Sequence, residues 1–160
     1  MRFVPYNVKD ADKVLEMMSR HFDYTPELAS ADNETSNVDY FREVYCFEGY
    51  SGISYVLSAD NEFIIGFLEA TMRKCERGKL CWYITSLFVL ECKQADYYAQ
   101  CMVDEFCNSL HEADEICANV HPSVGKAVRF WLGIGFRPNP ERAIFINSEG
   151  QRLVAYWKLL

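Results

Sequence analysis

The sequence lacks any apolar stretch long enough to cross a membrane as a helix. Its longest apolar run, Ile84 to Leu90, is broken by Thr85 and Ser86 and is only as long as a strand, whereas a membrane helix needs about 20 apolar residues. The opening residues 1–5 lead directly into a polar segment and lack the apolar core of a signal peptide. We therefore expect a protein that is neither embedded in a membrane nor exported, and we predict a cytoplasmic location.

The cysteines show no spacing typical of a disulfide framework or a metal site. There are seven, an odd number, and no two of them form a Cys-x-x-Cys pair. Cys107 and His111 are four residues apart in a predicted helix, but two ligands do not make a zinc site. Most of the cysteines lie in apolar segments, which favours buried free thiols in a reducing compartment. No metal site is predicted.

Basic residues are few, and two catalytic signatures are missing. The 16 Lys and Arg residues stand against 23 Asp and Glu residues, which gives a net charge of −7. General nucleic-acid binding needs a basic face to neutralise phosphates, so it is not expected. The acidic balance mildly favours a cationic or amine partner, although it also simply provides solubility. The sequence has neither the Gly-x-Ser-x-Gly turn of hydrolases nor a phosphate-binding P-loop.

The first half of the chain predicts a strand, two helices and a run of three strands. From Lys9 onward the apolar residues recur at helical spacing, with Asp10 as a plausible N-cap. They are Ala11, Val14, Leu15, Met18 and Phe22. A polar loop is expected over residues 25–37 and a second helix over 38–47. The predicted strands are Arg2–Tyr6, Ser54–Ser58, Phe63–Met72 and Leu80–Leu90, the last three joined by short turns.

The second half predicts helix, strand, helix and hairpin. In the helix over residues 96–112 the apolar side chains of Tyr98, Met102, Phe106 and Leu110 recur every four residues. A strand over 115–120 precedes a helix for which Ser123 is the predicted cap. The apolar stripe of this helix consists of Ala127, Phe130, Trp131 and Ile134. Gly135 is expected to end that helix in a left-handed conformation, with Phe136 as its hydrophobic contact. Residues 143–147 and 153–159 form the final hairpin.

This order of elements predicts one α/β (α+β) domain over residues 1–160. A strand meander followed by strand, helix and strand gives a mixed, mostly antiparallel central sheet with helices on both faces. The last strand is apolar enough to pair across a homodimer or simply to complete the sheet.

Residues 124–136, with the sequence VGKAVRFWLGIGF, resemble a helix pattern of the GCN5-related N-acetyltransferases. The family pattern is Asn-x-x-Ala-x-x-Phe-Tyr-x-x-x-Gly-Phe. The two agree at Ala127, Phe130, Gly135 and Phe136 and differ at Val124 and Trp131. The resemblance extends over nearly the whole chain, but it is only topological between residues 24 and 60. It implies an acyl-CoA N-acyltransferase-like fold.

The family's acyl-CoA loop has the pattern Gln/Arg-x-x-Gly-x-Gly/Ala, which falls on Gln94 to Ala99 in this sequence. Gln94 and Ala99 fit the pattern, whereas Tyr97 stands at the central glycine. Two interpretations stay open: either the Tyr97 ring turns outward and the backbone still binds CoA, or the loop only caps a helix. Asp96 adds a negative charge beside the expected pyrophosphate, so weakened binding of acetyl-CoA or another acyl-CoA is expected.

The resemblance implies a set of cofactor-binding residues. The strand end would bind pantetheine through its backbone, and the amides at the start of the following helix would bind the pyrophosphate. Lys93, Lys126 and Arg129 would meet phosphates, or they lie on solvated surfaces. The residues assigned to the cofactor are Leu87, Phe88, Val89, Gln94, Ala95, Asp96, Tyr97, Tyr98, Ala99, Lys126, Phe130 and Trp131.

The resemblance also implies the catalytic groups that acyl transfer to an amine uses. Relatives commonly protonate the leaving thiolate with a tyrosine at the position of Trp131, so Tyr97 is the candidate substitute, with Tyr98 as a further option. Glu69 is the candidate base, acting through water, and Tyr83 is a candidate to orient that water. The plainer alternatives are an exposed strand glutamate and a packed strand tyrosine.

Two functions follow from the resemblance. The first is an acyltransferase that moves an acetyl or other short acyl group from CoA to a primary amine of a small molecule or a protein. The second is a degenerate module that binds CoA without turnover or binds another protein. The acidic loop with Asp32 and Glu34 would favour a cationic acceptor.

Overall fold

The computed structural model describes most of the regular elements of the chain. The described residues are 2–21, 52–59, 63–74, 80–90, 92, 95–110, 115–120, 122, 124–139, 145–146 and 152–159. The predicted loop over 25–37, the predicted helix over 38–47, Lys93 and Gln94 lie outside them.

The described elements follow the predicted order. They are β1 (Arg2–Pro5), α1 (Ala11–His21), β2 (Gly52–Ser58), β3 (Ile64–Lys74), β4 (Leu80–Val89), α2 (Ala95–Ser109), β5 (Glu115–Val120), α3 (Gly125–Gly133), β6 (Arg137–Pro138), β7 (Phe145–Ile146) and β8 (Arg152–Leu159). A short 3-10 turn, Val8–Asp10, precedes α1. In the part of the chain described, no helix has the length and apolar character that crossing a membrane requires.

The strands form one mixed sheet in the order β1-β2-β3-β4-β5-β8-β6, and β7 also pairs with β8. β4 and β5 are parallel, whereas β1 with β2 and β8 with β5, β6 and β7 are antiparallel. This confirms the predicted mixed sheet, and the pairing of β7 with β8 confirms the predicted hairpin. Because β8 has strand partners on both sides within the chain, it completes the sheet.

The chain divides into two compact units, and β3, β4 and α2 each contribute residues to both. Unit 1 comprises residues 1–69 and 86–102, and its core joins one face of α1 to β2 and β3. The buried core side chains are Ala11, Val14, Met17, Val56, Ile64 and Phe67. The ring of Tyr6 meets Phe67 edge-on with centroids 5.9 Å apart. The predicted helical spacing of Ala11, Val14 and Leu15 therefore corresponds to the packed face of α1.

Unit 2 comprises residues 70–85 and 103–160. Its buried side chains come from β3, β4, β5, β8, the last turns of α2 and the end of α3, and they include Ile84, Phe106, Ile116, Trp131 and Tyr156. Every residue of β5 except Asn119 is buried, as expected for a strand with neighbours on both edges. Trp82 meets Phe106 edge-on at 6.0 Å, which fixes α2 against β4 within this unit.

The helix starts agree with the predicted caps only in part. Asn7 caps the 3-10 turn, since its side-chain oxygen accepts from the Lys9 amide at 3.1 Å. Asp10, the predicted cap, is the last residue of that turn and directly precedes α1, and its capping role stays a prediction. At α3 the cap residue is Val124, which makes no side-chain capping bond, so the predicted position is wrong by one residue. The predicted cap, Ser123, lies outside the described residues.

The end of α3 confirms the predicted glycine cap. Gly135 has φ of +95°, and its amide donates to the Leu132 carbonyl while the Phe136 amide donates to the Trp131 carbonyl at 3.0 Å. These two bonds form a Schellman motif. Its hydrophobic contact is also present, because the rings of Trp131 and Phe136 have centroids 4.8 Å apart.

Candidate functional site

A carboxylate on β3 is held by a hydroxyl group on β4 in unit 1. The Ser86 hydroxyl donates to Oε2 of Glu69 at 3.0 Å, and both side chains are half-buried. A hydroxyl that donates to a carboxylate makes a charge-assisted bond, which is stronger than a neutral one. The bond restrains the orientation of the Glu69 carboxylate, so Glu69 is not a freely rotating surface side chain.

Ser86 is a site residue that the sequence reasoning missed. A serine in a strand carries no signal of its own, and it acquires a role only when pairing brings it beside an acid. The alternation of β4 gives the face on which Ser86 lies, but it does not give the register against β3. That register is a property of the folded sheet.

The second half of β4 approaches β3 closely because residue 66 is glycine. A Cβ at Gly66 would lie 2.6 Å from Sδ of Met102 and 3.2 Å from the Phe88 carbonyl oxygen. The Leu90 amide donates to the Ile65 carbonyl at 2.8 Å, which fastens the end of β4 to β3. Leu87, Phe88 and Val89, the predicted cofactor-binding strand end, are half-buried there.

The predicted phosphate-binding segment is the first turn of α2. The helix begins at Ala95, whose amide donates to the Cys92 carbonyl at 3.1 Å. The next amides, those of Asp96 and Tyr97, lie in the first turn, where backbone N–H groups have no acceptor within the helix. Residues 95–99 are therefore helical rather than looped, so Tyr97 needs no left-handed backbone. The glycine that the family pattern places here is not required by the backbone of this chain.

The Tyr97 ring points into solvent. The residue is 63% exposed, so the ring is turned outward, while binding of CoA by the backbone stays a prediction. A hydrogen bond with the Cys101 thiol, one turn further along α2, raises the pKa of Tyr97 above its ordinary value. A tyrosine is protonated at physiological pH even without this shift, as a proton donor must be. Tyr98 is half-buried, and the two rings are tilted with centroids 5.8 Å apart.

The remaining predicted site residues lie in unit 2. Lys126 and Arg129 are exposed on α3, whereas Phe130 is half-buried. Trp131 is only 7% exposed and packs between Phe130, at 5.2 Å, and Phe136. It is thus a core side chain of its unit, which explains how an indole replaces the family's tyrosine without loss of packing.

Tyr83, the remaining predicted catalytic residue, is half-buried in β4 and pairs in register with Cys117 of β5. Its proposed role in orienting a water stays a prediction. The cofactor roles of Lys126, Phe130 and Trp131 also stay predictions.

No family model and no curated protein sequence matches the chain. Solved structures do match it along nearly its whole length. NAA60 of Arabidopsis thaliana in complex with acetyl-CoA has 15% sequence identity and a TM-score of 0.69, covering 99% of each chain. An aminoglycoside 6'-acetyltransferase of type Ii has 12% identity and a TM-score of 0.70, covering 99% of this chain and 97% of that one.

A mutant of spermidine N-acetyltransferase SpeG from Vibrio cholerae has 16% identity and a TM-score of 0.71, covering 99% of this chain and 95% of that chain. These three structures, two of which are named as acetyltransferases of different acceptors, thus share one arrangement of strands and helices with this protein. The chain has the fold of the GCN5-related N-acetyltransferases.

Proposed function

We propose that this protein is a cytoplasmic acyltransferase that moves an acetyl or other short acyl group from CoA to a primary amine of a small molecule or a protein. The observation that carries the proposal is the Glu69 carboxylate, held at 3.0 Å by Ser86. It belongs to the same compact unit as the end of β4 and the start of α2. These are the segments that the resemblance assigns to acyl-CoA.

The chain's own residues fit acyl-CoA at the start of α2. The exposed Tyr97 ring does not cover the first turn of the helix, where amides and the positive end of the helix dipole favour a phosphate. Asp96 is exposed in the same turn, and its negative charge opposes an anion there. These residues therefore support binding of acyl-CoA. The binding should be weaker than at a first turn that contains the family's glycine and lacks the acid.

The proposed mechanism has two proton transfers, one from the attacking amine and one to the leaving sulfur. Bound acyl-CoA supplies a thioester, whose carbonyl carbon accepts the amine. As the C–N bond forms, Glu69 takes the proton that the amine nitrogen gives up, directly or through water. The Tyr97 phenol, like an ordinary tyrosine, is protonated at physiological pH, and it donates that proton to the sulfur when the C–S bond breaks.

The acceptor class is supported by the structural neighbours. The names of the matching structures refer to spermidine and to aminoglycosides, and NAA60 has also been solved with a bisubstrate analogue. Spermidine and aminoglycosides carry amino groups, and the net charge of −7 favours cationic acceptors. We propose an amine acceptor of this kind, and a homodimer as the oligomeric state to be tested.

The second candidate function is a module that binds CoA without turnover or binds a protein. It is favoured by Asp96 in the first turn of α2 and by Trp131 at the position of the family's tyrosine. Unlike a tyrosine hydroxyl, the indole N–H of Trp131 does not serve as an acid.

A calorimetric titration with acetyl-CoA and with free CoA tests binding first. Micromolar binding supports both candidate functions. If the folded protein does not bind at millimolar cofactor, the acyltransferase and the CoA-binding form of the module are both contradicted. Turnover is then measured with a panel of polyamines, aminoglycosides and peptides, by mass spectrometry of the acylated product. Product that depends on Glu69 supports the acyltransferase, and tight CoA binding without any product supports the module.

Ser86→Ala separates the positioning of the base from the base itself. Loss of this hydrogen bond leaves the Glu69 carboxylate in place but removes one restraint on its orientation. We expect a several-fold fall in kcat with little change in KM for acyl-CoA. The control is Ser109→Ala, because the Ser109 hydroxyl donates to the Phe106 carbonyl at the end of α2. An equal effect of both substitutions on kcat would contradict the positioning role.

A further inference from the structure

Two cysteines and a glutamate form a buried cluster in unit 2 that the proposed function does not use. Cys81 of β4 and Glu115 and Cys117 of β5 place their donor atoms within 4.8 Å of one another. The two thiols are in contact, with an Sγ···Sγ distance of 3.1 Å. Both cysteines are fully buried, and Glu115 is 6% exposed. The cluster therefore brings three ligand-type groups together in an environment with little water.

The parallel pairing of β4 with β5 creates this cluster. Glu115 and Cys117 are two residues apart on β5, so their side chains lie on the same face of the strand. Register pairs Cys81 with Glu115 and Tyr83 with Cys117, so Cys81 lies beside Glu115 and diagonal to Cys117. The separation of 34 positions between Cys81 and Glu115 hides this proximity in the sequence.

The same register works against a disulfide. Strands about 4.8 Å apart and a two-residue step of about 6.6 Å put the Cα atoms of Cys81 and Cys117 roughly 8 Å apart. A disulfide usually needs a Cα separation below about 6.8 Å. The two sulfurs meet only because the side chains lean towards each other. The backbone therefore favours a pair of thiols that a third atom can bridge.

We propose that Cys81, Cys117 and Glu115 form a binding site for a thiophilic divalent cation of the zinc class. Two thiolates and one carboxylate are zinc ligands, and a water completes a tetrahedral site with three protein ligands. Zn–S bonds of about 2.3 Å place two tetrahedral sulfurs about 3.8 Å apart, so the thiols must separate by about 0.7 Å. Side-chain rotation suffices for that movement.

Binding balances without any redox partner. Each thiol releases one proton to solvent, two S–metal bonds and one O–metal bond form, and the oxidation state of the ion is unchanged. The ion replaces the S–H···S contact, and its two positive charges balance the two thiolates formed by loss of the protons, since buried charges are paired or coordinate metals. It would link β4 to β5 within unit 2 and stabilise that unit by mass action, because the unfolded chain lacks the site.

The test is a metal titration of the full chain, purified with reductant and stripped with a chelator. Co²⁺ is added first, and thiolate-to-cobalt charge-transfer absorption is followed. Zn²⁺ is then used to displace it, and the bound metal is counted by elemental analysis. We expect one ion per chain, and a thermal unfolding temperature that rises with Zn²⁺.

Variants assign the ligands. Cys81→Ser and Cys117→Ser should each weaken binding by more than the roughly 10–100-fold that loss of an outer hydrogen-bond partner costs, and Glu115→Gln should weaken it at least about tenfold. Cys92→Ser is the matched control, since Cys92 is an exposed free thiol, and it should bind like the unaltered chain. Binding that survives Cys81→Ser and Cys117→Ser would overturn the proposal.

X-ray absorption of the zinc-loaded, unaltered chain avoids the risk that a core variant does not fold. Two sulfur neighbours and lighter oxygen neighbours are expected. A spectrum without sulfur neighbours overturns the site, as does the absence of any charge-transfer band. A Cys81–Cys117 disulfide in the air-exposed protein, shown by peptide mapping, would overturn the geometric argument against an S–S bond.

Discussion

The end of α3 and the start of α2 both correspond to segments that the acetyltransferase resemblance singles out, and they differ in what they retain. At the end of α3 the pattern is retained, and Gly135 adopts φ of +95° with two Schellman hydrogen bonds. At the start of α2 the pattern departs at Tyr97, and the backbone there is nevertheless helical. The chain thus has a glycine at residue 135, where the backbone needs positive φ, and a tyrosine at residue 97, where the helical backbone does not need a glycine.

The comparison separates two kinds of residue. Residues that fix the fold, such as Gly135, act through backbone conformation and packing, and their replacement should change stability. Under the proposed function, Asp96 at the start of α2 and Glu69 on β3 act through charge and proton transfer, so their replacement should change binding or turnover with little change in stability.

Glu69→Gln should have the largest effect. The amide keeps the shape of the side chain and still accepts from Ser86, but it cannot take a proton. Turnover should fall about 10²–10⁴-fold, the usual contribution of a general base, with the thermal unfolding midpoint nearly unchanged. Steady-state kinetics and calorimetry measure both quantities. The control Glu105→Gln removes an exposed charge on α2, and an equal loss of turnover in that variant would refute the role of Glu69.

Gly66→Ala should destabilise unit 1 by about 1–3 kcal/mol, because it overpacks a filled contact. The added Cβ would meet the Phe88 carbonyl oxygen at 3.2 Å and Met102 Sδ at 2.6 Å. The backbone oxygen cannot move independently, so the strands must shift. Urea unfolding measures the change in free energy. If stability is unaltered, β3 and β4 have more freedom than the structure shows.

Gly135→Ala should cost about 1–2 kcal/mol for a different reason. A Cβ at residue 135 has room, since its nearest neighbour is Lys158 Cε at 3.8 Å, but an L-residue is strained at positive φ. Gly133→Ala is a matched control in the same helix end, because a Cβ there meets nothing within 4 Å. That control should be neutral or slightly stabilising, and equal losses in the two variants would contradict the assignment of strain to residue 135.

Asp96→Asn should have the smallest effect, and its two consequences should have opposite signs. Removing a negative charge from the first turn of α2 should tighten acyl-CoA binding about two- to fivefold by removing repulsion. It should also lower the free energy of unfolding by about 0.3–1 kcal/mol, because the helix dipole stabilises a negative charge in the first turn. Calorimetric titration at low and high salt measures the first effect. Affinity that does not change would place the phosphates away from α2.

Much of the fold could be predicted from local patterns. β5 was predicted with its observed bounds, and the apolar spacing of α2 correctly indicated Met102 and Phe106 as buried. The glycine cap was predictable because Gly135 and Phe136 follow a helix-length stripe. The start of α3 was less predictable: Val124 is the observed cap residue, one residue after the predicted Ser123.

The candidate site was predictable only in part. Glu69 could be named from the sequence as an acid in a strand, but its partner Ser86 could not, because strand register depends on the whole sheet. The buried contact between Cys81 and Cys117 was equally hidden, since their spacing of 36 residues matches no metal motif. The expectation that no metal site exists came from motif spacing, which describes neighbours along the chain rather than neighbours across strands.

By itself the sequence determined the order of elements, the apolar faces of the helices and the glycine at the end of α3, because these depend on side chains within a few residues of one another. Tertiary structure alone decided three other features: the outward position of the Tyr97 ring, the hydrogen bond between Ser86 and Glu69, and the cluster of Cys81, Glu115 and Cys117. The physical reason is that strand pairing joins residues from distant parts of the chain, and its register is set by the combined burial of all strands.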